Sequence, residues 1–455
     1  MNTDSNISSK KAIHDILDIG IPSFLETLFT TFASIIDSKM VSAMGVAAIS
    51  AVSVTNQPRL FIFSIFFALN TVTSSLVARY VGKEDRDAAN MVLDHVLKLV
   101  IVLSLIAGAV AAAAARPIMI AFSNQKDTLD ASIIYFQIVM GGMVFNIFYM
   151  AVNSALRGCG LTKLTFASNV LSCTVNIFFN YLLIEGHWGF PRLEYAGAAI
   201  ATVLGTVAAS ILSLLFILRK DMFINIPYCL RHRFKMTRES LSEIVELSKS
   251  SITDNLAMRF SLLFSAGIVA RIGSYQMAVY SIGMHLLNVN MALGYGFQSA
   301  GVALTGRCYG ASDRNGMQTY KKYMVRMGII SAAVLSAVII LGGKWFYGFF
   351  SQDTAFVTMG AISCIFIGVI TISQTMKFIY QGCLQGVGAM KEVMAASITA
   401  FAGVNLSALI ILILVFDAGI WGVWIATFLL QTVQAVMLCI FLRRWERDDQ
   451  SGKIE

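Results

Sequence analysis

Charge is what this sequence has least of: Asp, Glu, Lys and Arg make up 13% of its 455 residues, against 57% that are hydrophobic. Soluble domains carry about 25% charged residues, and a chain with a mean hydropathy of +0.72 cannot fold its apolar surface into one water-facing core. Proline is scarce too, at 5 residues, so little interrupts long helices. Cysteine occurs as an odd scatter of Cys159, Cys173, Cys229, Cys308, Cys364, Cys383 and Cys439 with no metal-ligand spacing. That pattern excludes a disulfide framework and a zinc site, and the thiols read as small apolar fillers. No phosphate-binding loop, zinc motif or nucleophile elbow appears, so no cofactor is expected and the chain does not read as an enzyme.

What is present is apolar sequence in runs long enough to cross a bilayer, which takes about 20 residues of helix. Twelve such spans are expected, near 17–40, 52–77, 93–115, 130–155, 164–185, 195–218, 245–270, 277–305, 323–349, 356–383, 393–416 and 419–442. The polar start, lacking a small-residue cleavage site before the first span, reads as leading into a retained helix. The net charge of +8 lies in short connections between spans, which is a topological signal and not a nucleic-acid surface. With the N-terminus inside, only Arg116, Lys126, Arg192, Arg271 and Lys344 among the connecting bases fall outside. Both termini are therefore expected in the cytoplasm, with the chain multi-pass in a bacterial-type inner membrane. The longest polar connection, 219–243, carries Arg231, Arg233, Lys235 and Arg238 and reads as a cytoplasmic linker facing lipid head groups. It separates an expected N-terminal lobe, 1–218, from a C-terminal lobe, 244–455.

The two halves repeat. At a shift of 228 residues Glu26 falls on Asp254, Val41 on Val269 and Gly45 on Gly273. At the same shift of 228, Leu76, Arg79, Gly82, Asp85 and Arg86 fall on Leu304, Arg307, Gly310, Asp313 and Arg314. Leu156, Gly158, Gly160 and Lys163 likewise fall on Leu384, Gly386, Gly388 and Lys391. Beyond that the register slips by three, so that Gly197, Ile200, Ala201 and Thr202 match Gly422, Ile425, Ala426 and Thr427 at a shift of 225. An even number of spans per half makes the repeats parallel, the arrangement that permits alternating access around a site between them.

Ionisable groups inside spans are costly and point to function. Glu26 and Asp37 share the first span, eleven residues apart, which returns them to nearly one helical face roughly 16 Å apart. With Asp254 they are candidates to flank a substrate cavity or relay protons. Arg59, Arg259 and Lys377 lie inside spans as well, and if they line that cavity they offset the acids. His285 is the histidine well inside a span and a candidate pH-sensing group. Asn146, Asn153, Asn169, Asn176 and Asn180 make the first half rich in amides, answered in the second half by Gln374 and Gln381.

These residues resemble the multidrug and toxic compound extrusion (MATE) family. The matching features are the first helix with proline, glutamate and Asp37; the Val77-Ala78-Arg79 to Asp85 turn; the Arg157-Gly158-Cys159-Gly160-Leu161-Thr162-Lys163 turn; and the Ala196-to-Thr202 stretch with its second-half equivalents. The resemblance implies an all-α polytopic protein whose twelve transmembrane helices form two six-helix lobes in a V. It also implies export of amphipathic, often cationic, small molecules by antiport against sodium ions or protons. The DinF-like branch, which the chain resembles more, places a cation or proton site at positions matching Asp37, Asn153, Asn176, Asn180 and Thr202, with a sodium ion at Asp37, Asn176 and Asn180. That branch commonly has an aspartate where Asn180 stands. The acids of the NorM-like branch do not align: Met258 holds the first position, and Gln374 and Lys377 lie near the second. Expected partners are an amphipathic substrate and membrane lipid, with no nucleic acid, and the chain is expected to act as a monomer. A lipid or glycolipid flippase of the same superfamily is the alternative, and the three buried bases keep it open. A membrane-embedded enzyme or a channel would need a catalytic cluster or a ring of pore residues, which the sequence does not show.

Overall fold

The computed structural model describes residues 7–42, 44, 46–122, 126–232, 234 and 238–450. Gly45, Arg233 and Lys235 lie outside the described residues. Nearly all the rest is helix: α1 Ser9–Ser42, α2 Val46–Gly82, α3 Arg86–Ala113, α4 Ala115–Phe122, α5 Lys126–Gly141, α6 Met143–Gly158, α7 Thr162–Glu185 and α8 Glu194–Ile217. There follow α9 Ile226–His232, α10 Arg238–Ile272, α11 Ser274–Gly310, α12 Arg314–Gly348, α13 Thr354–Gly386, α14 Met390–Ile398, α15 Leu406–Leu409 and α16 Gly419–Gln450. Among the described residues ten helices are long and apolar enough to cross a membrane. The expected span at 130–155 is bent by 46° at Gly142, between α5 and α6. A glycine pair, Gly141-Gly142, permits that kink. The remaining expected span, α11, has 37 residues but is made more polar by Gln276, His285, Asn288, Asn290 and Gln298. Leu341, Phe349 and Trp345 stand 86%, 80% and 72% exposed, as side chains facing lipid tails do.

The chain forms two compact units: Leu25–Ser248, called here the first unit, and the residues up to Phe24 together with those from Lys249 onward, the second. This differs from the expected lobes of 1–218 and 244–455 in two ways, each with a physical cause. The first helix is shared, and the change of unit comes just after Pro22, whose missing N–H removes a helical hydrogen bond. The 219–243 connection belongs to the first unit and is not a free linker. Arg86 donates to the carbonyls of Phe223 and Met222 at 3.2 and 2.9 Å, while Asn90 bonds Phe223 O at 2.9 Å and accepts from Asn225 N at 2.8 Å.

The repeated motifs are local structure. Asp85 and Asp313 cap α3 and α12, accepting from Ala88 N at 2.9 Å and Gly316 N at 2.8 Å. The residues just before them, Glu84 and Ser312, both take positive φ, 58° and 56°. Arg314, the counterpart of Arg86, holds the end of α16 through Asp449 O at 2.7 Å and its carboxylate at 2.8 Å. Gly158 and Gly386 mark the same close helix crossing. A Cβ on Gly158 would stand 2.6 Å from Ser74 O, and one on Gly386 2.9 Å from Val302 O. In lipid, where no water drives helices together, such backbone approach is what small residues supply.

The three-residue slip has a structural origin. Helix α7 spans 24 residues, whereas its counterpart, from Met390 to Val415, is two residues longer and contains π-helical turns at Thr399–Asn405 and Ile410–Val415. Each π turn takes one extra residue by bonding i to i+5. The connection that follows shortens from eight residues, 186–193, to three, 416–418. Two residues gained and five lost leave the observed slip of three.

Candidate functional site

Four of the five residues expected to hold a cation meet in the first unit. Asn180, on α7, donates its amide to Asp37 of α1 and to Asn176 Oδ1 at 3.3 Å. One turn away on α7, Asn176 donates to Thr202 Oγ1 of α8 at 3.3 Å. The spacing of four residues places Asn176 and Asn180 on one face of α7, and α8 approaches because Gly205 lacks a side chain. A Cβ there would stand 2.6 Å from Ser172 O and 3.1 Å from Asn176 Cβ. Asn180 is fully buried, and its Oδ1 has no hydrogen-bond partner. With the Asp37 carboxylate, Asn176 Oδ1 and Thr202 Oγ1 it brings four oxygen-bearing groups together, the donor type that hard cations take.

Two further residues frame this set. Arg59 Nη2 donates to Asn56 Oδ1 at 2.8 Å and lies within electrostatic reach of Asp37. It also lines a small cleft with Phe63, Asn146, Thr202 and Thr206. Tyr135, which sequence reading did not single out, is buried beside Thr202 and feels the charges of both Asp37 and Arg59. A lone tyrosine in an apolar span carries no sequence signal of that position.

Asn153 is not part of this set. It is buried against Ser213, whose Oγ donates to Asn153 Oδ1 at 3.2 Å and to Ser168 Oγ at 3.1 Å. The placement on α6, and not on α7 or α8, accounts for the separation.

Glu26 belongs to a second network of the same unit. Its carboxylate accepts from Arg157 at 2.7 Å and Thr165 at 3.0 Å. Around it Thr30 donates to Asn169 Oδ1 at 3.0 Å, and Asn169 donates to Tyr149 Oη at 3.2 Å. Both carboxylate oxygens are thus used, and the negative charge is met by an arginine the sequence reading assigned to a cytoplasmic turn.

In the second unit Asp254 accepts from Gln381 at 3.5 Å and is bonded by Ser397. Ser397 in turn accepts from Gln434 at 2.8 Å. Gln374 is buried and accepts from Asn290 at 2.6 Å. That places it in a network of α11 and α13 apart from the Asp254 group. His285 stands on an exposed face of α11 with no hydrogen bond among the described residues. Arg259 and Lys377 flank an aromatic pair described below.

A duplicated bundle of membrane helices with buried polar sites is the architecture that transporters use. The MatE family model matches residues 22–182 and 251–411, once in each half, and the chain belongs to that family of membrane transporters. The "Uncharacterized transporter YisQ" of Bacillus subtilis (strain 168) is 23% identical over 93% of this chain and 92% of its own length. The "Probable multidrug resistance protein NorM" of Thermotoga maritima is 23% identical over 90% of this chain and 88% of its own. A solved structure described as "MATE in the bent conformation" superposes with a TM-score of 0.89 at 22% identity, covering 98% of this chain and 97% of that one. It shares the fold.

Proposed function

We propose that this protein is a secondary active exporter of amphipathic small molecules, driven by inward flow of sodium ions or protons through the Asp37 site and working by alternating access. The observation that carries the reading is the hydrogen-bonded set of Asp37, Asn176, Asn180 and Thr202, with Asn180 buried and its Oδ1 unpaired. The name of the Thermotoga maritima relative, a probable multidrug resistance protein, supports export of organic compounds.

The contact between Asn180 and Asp37 supports reading the site as a switch. Asn180 turns its Nδ2 toward the Asp37 carboxylate. A sodium ion there calls for oxygens, so the Asn180 amide turns over, bringing Oδ1 to the ion and releasing its bond to Asp37. A proton on Asp37 removes the same negative charge. Either event changes how α1 is held against α7, and an ion that binds one arrangement more tightly shifts the population toward it. In keeping with the distribution of connecting bases, both termini lie in the cytoplasm.

The test is export of a fluorescent amphipathic dye from proteoliposomes under a sodium gradient and a proton gradient imposed separately. Wild type exports under one of them, and Asp37→Asn, correctly folded, does not. Uphill export retained by Asp37→Asn would overturn the assignment.

A further inference from the structure

The two halves place their positive charge differently. In the first half one base, Arg157, is paired with Glu26 at 2.7 Å. At a shift of 228 its counterpart is Gln385, which accepts from Gln298 at 2.8 Å and carries no charge. The base of the second half stands instead at Lys377, the counterpart of the neutral Tyr149 at the same shift of 228. Lys377 precedes Gln385 by eight residues on α13, about 12 Å deeper into the span.

Lys377 is 6% exposed, and among the described residues it makes no hydrogen bond or ion pair. Its ammonium rests on the Phe378 ring, 3.8 Å from the centroid. Phe378 is itself pinned where Gly294 lets α11 approach, since a Cβ there would stand 2.1 Å from the ring. The ring of Tyr295 lies 5.0 Å from that of Phe378 and is 36% exposed. Arg259 and Asp254 both lie within electrostatic reach of Tyr295. Arg259 has no ion-pair or hydrogen-bond partner among the described residues, and its Nε is buried unsatisfied. Lys377 and Arg259 thus flank an aromatic pair of which Tyr295 is accessible and Phe378 buried, with Asp254 within electrostatic reach of Lys377 and Tyr295. A buried ammonium is tolerated in a membrane protein when a counter-charge reaches it, and Asp254 can offset only one of the two.

We infer that Lys377 and Arg259 form a recognition site in the second unit for the anionic group of an amphiphile, a carboxylate, sulfonate or phosphate whose apolar body lies on the exposed Tyr295 ring. This rests on the transporter reading and deepens it, because it names the charge of the substrate: the transported compound is zwitterionic or anionic, not a simple organic cation. Asp254 holds the site near neutrality when no ligand is bound and does not pair Lys377 closely enough to close it.

Matched dyes test this. Rhodamine 110 carries a free carboxylate, and rhodamine 123 is the methyl ester on the same ring system. Their binding to full-length protein in phosphatidylcholine nanodiscs is read by fluorescence polarisation. Wild type binds the free acid at least about tenfold more tightly, the scale of one charge-assisted hydrogen bond. Lys377→Gln abolishes the preference, Arg259→Gln reduces it, and Lys377→Arg keeps it. In wild type, octyl sulfonate displaces the bound acid and octyltrimethylammonium does not, a result that needs no variant to fold. Equal or tighter binding of the ester, or a preference that survives in both Lys377→Gln and Arg259→Gln, overturns the site. Displacement by phosphatidylglycerol in the nanodisc would assign the anion to a lipid head group; its failure to displace would assign it to a soluble amphiphile; both leave the anion site standing. No gradient is imposed, so loss of coupled export would overturn the exporter reading and leave this result untouched.

Discussion

Asn405 donates its side-chain amide to Ser265 Oγ at 3.2 Å, and Ser265 stands where Asp37 stands in the first half, 228 residues earlier. The second unit therefore keeps an amide bonded to this position, on the counterpart of α7, and lacks the carboxylate. A hydroxyl holds no cation on its own, so the proposed coupling ion is one for the first unit. Ser265→Asp is expected to add a second cation-dependent rise in thermal unfolding temperature, and the rise should persist in the Asp37→Asn background. A sodium or pH titration of unfolding in detergent checks it.

Asn180→Asp places a second carboxylate beside Asp37. Two acids sharing one site cannot both ionise without a cation between them, so export should become more steeply dependent on the driving ion. An unchanged ion dependence of the initial export rate would place Asn180 outside the coupling site.

Gly205→Ala should impair export without replacing an ion ligand. The new Cβ would meet Ser172 O, 2.6 Å away, and pushes α7 from α8, separating Asn176 from Thr202. Overpacking of this kind typically costs about 1–3 kcal/mol. The variant is expected to unfold at lower temperature and to need more ion for half-maximal export; normal values of both would show that the helices adjust freely.

The Glu26–Arg157 pair predicts a double-mutant result. Breaking a buried pair from one side costs about 3–5 kcal/mol, but the Arg157 side chain is 39% exposed, which lowers the expectation to about 2 kcal/mol. Arg157→Leu should therefore destabilise more than Glu26→Leu combined with Arg157→Leu. Thermal melts of the variants in one detergent read the order directly, and a double variant as damaged as Arg157→Leu alone would show that no charge had been stranded.

Cys229 reports on the connection after α8. It is buried, its Sγ donates to Asn90 O at 3.4 Å, and burial pushes the thiol up to about 12, so at about pH 8 the reactive thiolate is nearly absent. Maleimide should leave Cys229 unlabelled in wild type. Asn90→Ala, which removes the bonds to Phe223 and Asn225, should expose it and lower its pKa toward the ordinary thiol range. Peptide mass mapping after brief labelling distinguishes Cys229 from the other thiols.

Much of this protein is written in local pattern. Apolar runs of membrane length, the 228-residue repeat and the turn residues shared by its halves depend on composition and short-range geometry. The sequence by itself therefore determined a duplicated helical transporter with acids at Glu26, Asp37 and Asp254. It also singled out Asn176, Asn180 and Thr202, because side chains able to share a charge stand out against apolar helices. What it could not determine is which of those groups meet. Glu26 reaches Arg157, 131 residues away, Asn153 turns to Ser213, and Lys377 rests on an aromatic ring, with Asp254 in electrostatic reach but not ion-paired to it. Only the tertiary structure decided these, because a partner across a helix interface depends on crossing angle, on the glycines that set separation, and on extra π turns that rotate one face past another. None of these is a property of a single stretch of chain.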